Sequence, residues 1–221
     1  MAATTLGTVA DSARASGPPG PHLGSMSGDQ ALERLLAGNH RYAADKVVNC
    51  NNNYSRRAEV AQSQAPFAIV LGCSDSRVPL EVVFDQRLGD LFVIRVAGNV
   101  SDDFGLASME YAVAHFAPSL LLVVGHERCG AVSAALDAVA KRAAIPPGHL
   151  GSLVRAIMPA ARSVAGQPGD ALNNAVRANI EKTVRSLARS SPVIAAAASS
   201  KQLSIRGARY SLTDGLVTVV G

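Results

Sequence analysis

Three side chains in this sequence have the chemistry to share one soft metal ion: Cys73, His126 and Cys129. His126 and Cys129 stand three residues apart in Gly125-His126-Glu127-Arg128-Cys129-Gly130, so one turn at a helix start can aim both at a common point. Cys73 comes much earlier, in Leu71-Gly72-Cys73-Ser74-Asp75-Ser76-Arg77-Val78. Two thiolates and an imidazole suit zinc in a tetrahedron. Three protein ligands leave the fourth position open, as catalytic sites do, whereas a closed structural site needs a fourth ligand. Asp75 is the candidate for that fourth ligand. Asp75 and Arg77 lie two apart, so an extended loop points both the same way. A guanidinium binds a carboxylate in bidentate fashion, keeps it ionised and fixes its direction.

These residues need strands to deliver them. The Cys73 motif follows the apolar run Phe67-Ala68-Ile69-Val70, and the His126 motif follows Leu120 to Val124. We expect strands at Phe67–Leu71, Leu91–Val96 and Leu120–Val124, the last apolar enough to be covered on both faces. Between them we expect a short helix at Pro79–Phe84 and a longer one capped by Asp103 and running through His115. Met109, Ala112, Val113 and Phe116 would face inward from the longer helix. Another helix is expected from Cys129 to Arg142 with Val132, Leu136 and Val139 on one side. Strand and helix in alternation define an α/β fold: a central, mainly parallel sheet with flanking helices. In such sheets, ligand sites form at the C-terminal ends of the strands, where both motifs fall.

Further along, Ile145-Pro146-Pro147-Gly148 ends this unit. Helices follow at about 150–165, kinked at Pro159, and at 171–190, with Val176, Ile180, Val184 and Leu187 at helical spacing. Pro192 opens a short helix. Leu203–Leu212 and Leu216–Val220 flank the turn Thr213-Asp214-Gly215, and one of them adds an edge strand. Upstream, a helix starts near Ser27 with Gln30 completing a capping box and Leu32, Leu35 and Leu36 as its apolar stripe. Residues 49–53 break it, and Arg56–Gln62 forms a short helix. Residues 1–26 are rich in Ala, Ser, Thr, Gly and Pro and are expected to be a disordered or loose N-terminal arm. Residues 27–221 form a single domain.

Composition narrows the function. Of 221 residues, 48% are hydrophobic, yet no apolar run approaches the roughly 20 residues that span a bilayer. No basic segment followed by an apolar core opens the chain, so we expect a cytoplasmic protein without a membrane partner. The three cysteines are too few and odd in number for a disulfide framework, and argue for a reducing compartment; Cys50, in a polar loop, is an incidental thiol. Residues 1–150 hold 12 Lys/Arg against 14 Asp/Glu, and residues 151–221 hold 9 against 3. The basic half has one aromatic residue, Tyr210, so a solvated helical face explains its charge better than nucleic-acid binding.

Cys73-Ser74-Asp75-Ser76-Arg77-Val78 together with Gly125-His126-Glu127-Arg128-Cys129-Gly130 resembles the β-class carbonic anhydrases, over about Gly38 to Gly221. The resemblance implies their fold with an N-terminal helical arm and one zinc ion per chain on Cys73, His126 and Cys129. It also implies a homodimer or homotetramer. The activity it implies is reversible hydration of carbon dioxide to bicarbonate and a proton by a zinc-bound hydroxide. Asp75 would orient the attacking oxygen and Arg77 would hold Asp75. By the same resemblance Gln64, Phe92, Ala97, Tyr111 and Gly130 form the substrate pocket, with Gln64, Phe92 and Tyr111 contributed across the dimer interface. The absence of tryptophan excludes the usual form of the inhibitory bicarbonate pocket of some relatives. Two alternatives remain: hydrolysis of carbon disulfide or carbonyl sulfide on the same scaffold, and a non-catalytic zinc protein closed by Asp75.

Overall fold

A computed structural model of the chain describes residues 26–49 and 53–221. The expected N-terminal arm, apart from Met26, and Cys50 lie outside the described residues. Five strands form one sheet: β1 (Ala68–Gly72), β2 (Leu91–Arg95), β3 (Leu120–His126), β4 (Ser204–Tyr210) and β5 (Val217–Val220). Their order is β2-β1-β3-β4-β5. All neighbours run parallel except the β4–β5 pair, so the expected edge strand is β5.

The sheet divides the core by strand alternation. Ile69, Leu71, Leu121 and Val123 point to one face, packed under α4 (Asp103–Phe116), α5 (Gly130–Ala140), α6 (Gly148–Ser163), α7 (Ala171–Ser190) and α8 (Pro192–Ser199). Ala68, Val70, Leu120, Leu122 and Val124 point to the other, covered by α1 (Gly28–Ala43) and the short α3 (Leu80–Val83). Both faces are dry, which is why β1 and β3 are buried at every position. The remaining helix, α2 (Tyr54–Val60), is capped by Asn53 and precedes β1.

Local chemistry sets the helix ends. The Ser27–Gln30 capping box is present on α1. The cap of α4 is Asp102, not Asp103: the extended backbone at Asp102 lets its carboxylate accept the Gly105 N–H at 2.7 Å. The helix after β3 begins at Gly130 and ends at Ala140, with Cys129 outside it as the extended cap residue. No helix among the described residues is long and apolar enough to cross a membrane.

Chain order places the site. From β1 the chain crosses to β2 on one side and returns to β3 on the other, so the connections after β1 and β3 diverge. That divergence opens a crevice at the strand C-termini. Register puts Gly72 opposite Val124, so Cys73 and His126 emerge beside each other.

Candidate metal centre

Cys73 leaves the end of β1, His126 is the last residue of β3, and Cys129 caps α5. The side-chain donor atoms of these three residues lie within 4.8 Å of one another, and all three residues are buried. His126 and Cys129 do not share a helical turn as the spacing suggests. The strand continues to His126 because Tyr210 of β4 pairs with it, and a tight turn with Arg128 in the left-handed region (φ 51°) swings Cys129 back.

Two of the donors, His126 and Cys73, are held in a form that can bind a cation. The Nδ1 of His126 lies 2.8 Å from the carbonyl oxygen of Glu127. A carbonyl only accepts, so Nδ1 carries the proton and Nε2 keeps a lone pair. That Nε2 is fully buried and has no hydrogen-bond partner, a costly arrangement unless something else takes the lone pair. The Cys73 sulfur accepts the Gly98 N–H at 3.2 Å. The Cys73 thiol is drawn down to about 4, first by its hydrogen bond with Cys129 and then, against burial, by His126 and Gly98; Cys129 is pushed up by the same Cys73 contact and by burial. Two buried sulfurs in contact cannot both ionise without a positive charge between them. Ligands about 2.0–2.3 Å from a tetrahedral zinc lie about 3.5 Å apart, which this cluster accommodates. The donor set, the orphaned nitrogen and the paired thiols therefore fit zinc.

Asp75 stands at the edge of the cluster, its Oδ2 3.8 Å from the His126 Nε2. Arg77 grips it in a fork, Nε to Oδ1 at 2.9 Å and Nη2 to Oδ2 at 2.7 Å, and the Arg77 N–H adds a third bond at 3.0 Å. The Arg77 guanidinium holds the Asp75 carboxyl well below the usual carboxylate range.

Of the expected pocket residues, two flank this cluster. Ala97 opens the 3-10 turn Ala97–Asn99, directly before Gly98, and Gly130 opens α5, exposed and with free space where a side chain would stand. Three others lie elsewhere in the chain. Phe92 pairs with Ile69 and Gln64 precedes β1, both towards the N-terminal end of the strands. Tyr111 projects from α4, its ring 6.3 Å from Phe92 and 4.2 Å from His115. Within one chain these three do not meet the cysteines.

Two contributors escaped the sequence reading. Gly98 donates to the Cys73 sulfur, and a Gly-Asn pair after a strand is a turn signal that could have marked it. Arg95 binds the Cys73 carbonyl at 3.0 Å and the Asp75 carbonyl at 2.5 Å. Its signal was a lone cation ending the apolar run of β2.

The fold and site together define an α/β protein with a Cys-His-Cys cluster able to hold a metal at the C-terminal edge of a mainly parallel sheet. A family model described as carbonic anhydrase matches residues 68–217. A carbonic anhydrase of Mycolicibacterium smegmatis is 36% identical over 187 residues, covering 85% of this chain and 90% of that protein. Carbonic anhydrase 2 of Mycobacterium tuberculosis is 36% identical over 185 residues, covering 84% and 89%. Among solved structures, a Coccomyxa β-carbonic anhydrase in complex with acetazolamide superposes with a TM-score of 0.66 at 30% identity, covering 85% of each chain. The chain belongs to the carbonic anhydrase family, in its β class.

Proposed function

We propose that this chain hydrates carbon dioxide reversibly to bicarbonate and a proton, using one zinc ion held by Cys73, His126 and Cys129. The observation that carries the reading is the buried, unpartnered Nε2 of His126 facing two buried thiols, beside a carboxylate held ready by Arg77. Zinc held there by Cys73, His126 and Cys129 would supply a Lewis acid that lowers the pKa of a bound water towards neutrality. Asp75 accepts a hydrogen bond from the attacking water and so turns a lone pair towards carbon. Arg77 keeps Asp75 ionised and aimed. Ala97 offers a small apolar wall to an uncharged substrate. The Gly130 N–H, which no carbonyl of its own helix can reach, donates to negative oxygen as bicarbonate forms.

The same reading makes the molecule a homodimer or homotetramer of the cytoplasm, where reducing conditions keep both thiols free. Gln64, Phe92 and Tyr111 then complete the pocket of the partner subunit. Their distance from their own cysteines, and the exposure of Gln64 and Tyr111, accord with that role. Zinc content and hydration rate measured against pH test the proposal. We expect one zinc per chain and a rate that rises with pH. A protein that carries zinc but hydrates no carbon dioxide would overturn it.

A further inference from the structure

The buried face of α7 carries Val176, Ile180 and Leu187, and a polar residue stands among them: Asn179, fully buried. Its Nδ2 donates to the carbonyl oxygen of Gly98 at 2.8 Å, and its Oδ1 has no partner. An apolar side chain would suit this face better, since a buried amide with an unpaired oxygen is costly. The amide must earn its place through the one bond it makes.

That bond ends on the residue that touches the metal thiolate. Gly98 sits at φ 66°, ψ 21°, and a side chain there would press on the Ile157 Cδ1 at 2.7 Å. Glycine suits both the positive φ and the close contact, and glycine is also the residue least able to hold one conformation by itself. Its N–H faces the Cys73 sulfur at 3.2 Å, and its C=O faces Asn179. Fixing the carbonyl fixes the glycine, and with it the direction of the N–H. The next residue of α7 backs the other arm of the site. Ile180 lies 2.7 Å from where a Gly125 side chain would begin, one residue before His126.

We propose that Asn179 is a positioning residue for the metal thiolate: by clamping Gly98 from α7 it keeps the N–H···S bond on Cys73 and so sets the electron density of that sulfur. The inference rests on the metal-site reading above. An N–H donor withdraws charge from sulfur, so losing it leaves the sulfur a readier electron donor to a bound metal. Such supporting contacts alter metal affinity by about 10–100-fold.

The test uses the full chain loaded with cobalt(II), which reports its sulfur ligands through thiolate-to-metal charge-transfer absorption. Asn179→Leu keeps the volume and removes the donor. Asn179→Ala removes the donor without crowding and carries the test if the leucine variant fails to fold. Thr183→Val, buried one turn further along α7, is the control. We expect both Asn179 variants to move the charge-transfer band to longer wavelength and to lose cobalt to a chelator about 10-fold faster. The control should change only the melting temperature. A lower melting temperature with unchanged band and release rate would make Asn179 merely structural and overturn the proposal. So would failure of both variants to fold. Absence of a thiolate band in the wild-type protein would instead overturn the metal-site reading itself.

Discussion

Two aspartates that stand close together in the sequence each pair with an arginine: Asp75, after β1, with Arg77, and Asp85, after α3, with Arg41 in the last turn of α1. Both carboxyls sit below their ordinary pKa, so ionisation alone does not tell them apart. Their surroundings do. Asp85 is buried, and its oxygens accept from Arg41 Nε at 2.6 Å, from the Asn49 N–H at 2.8 Å and from the Val48 N–H at 3.2 Å. These partners tie the last turn of α1 and the segment after it to the end of α3. Among the described residues the Asp75 carboxylate is hydrogen-bonded by Arg77 alone, whose side chain is 52% exposed, and it faces an imidazole nitrogen with no hydrogen-bond partner. One carboxylate closes a fold contact. The other is aimed at a place where something must still bind.

The comparison is sharpest at the metal cluster. Cys73→Ser or His126→Ala should abolish zinc binding and hydration together, read by metal analysis and rate assay, because two donors cannot hold a zinc in place. Asp75→Asn should keep its zinc and its melting temperature but lose hydration by roughly 100-fold or more, the usual scale for a misplaced proton-handling group. Full activity in Asp75→Asn would erase the distinction between the two aspartates. Asp85→Asn should do the reverse. It removes the negative charge from a buried, many-partnered site at a cost of about 3 kcal/mol, lowering the melting temperature by roughly 6–12 °C. The hydration rate per folded molecule should stay unchanged.

Much of this was legible in the sequence because strong local signals and the topology agree. Apolar runs ended by chemistry-bearing loops gave β1 and β3, and parallel pairing then forces Cys73 beside His126. The β4–β5 hairpin followed from Thr213-Asp214-Gly215. Contacts formed across long loops were not legible. The Asp85 partners Val48 and Asn49 act through backbone N–H groups, which any residue except proline would supply. Asn179 left a faint trace, an amide among helically spaced apolar residues. Its partner is a carbonyl 81 positions away that only the folded chain reveals. Strand length was misjudged at His126 because pairing with Tyr210, not propensity, extends β3.

The smallest expected effect separates the two aspartates by acid. Burial by itself would raise the Asp85 pKa; the Arg41 bond and the Asn49 and Val48 N–H groups outweigh it and hold the group below its ordinary value. A group whose pKa is lowered by folding binds its proton more readily in the unfolded chain. Its stabilisation is complete above the unfolded value of about 3.9 and is lost as pH falls through the lower, folded value. The difference in melting temperature between wild type and Asp85→Asn should therefore hold steady from about pH 7 to about pH 5 and shrink below about pH 4. Melts should be made on metal-free protein, since acid releases zinc from thiolates. The matching Asp75→Asn difference should be small at every pH, because a half-exposed arginine partner contributes little to stability. An Asp85 difference that grows towards acid would mean that the folded protein holds that carboxyl protonated. The pair would then not be the fold contact described above, and a count of its partners would no longer explain why it differs from Asp75.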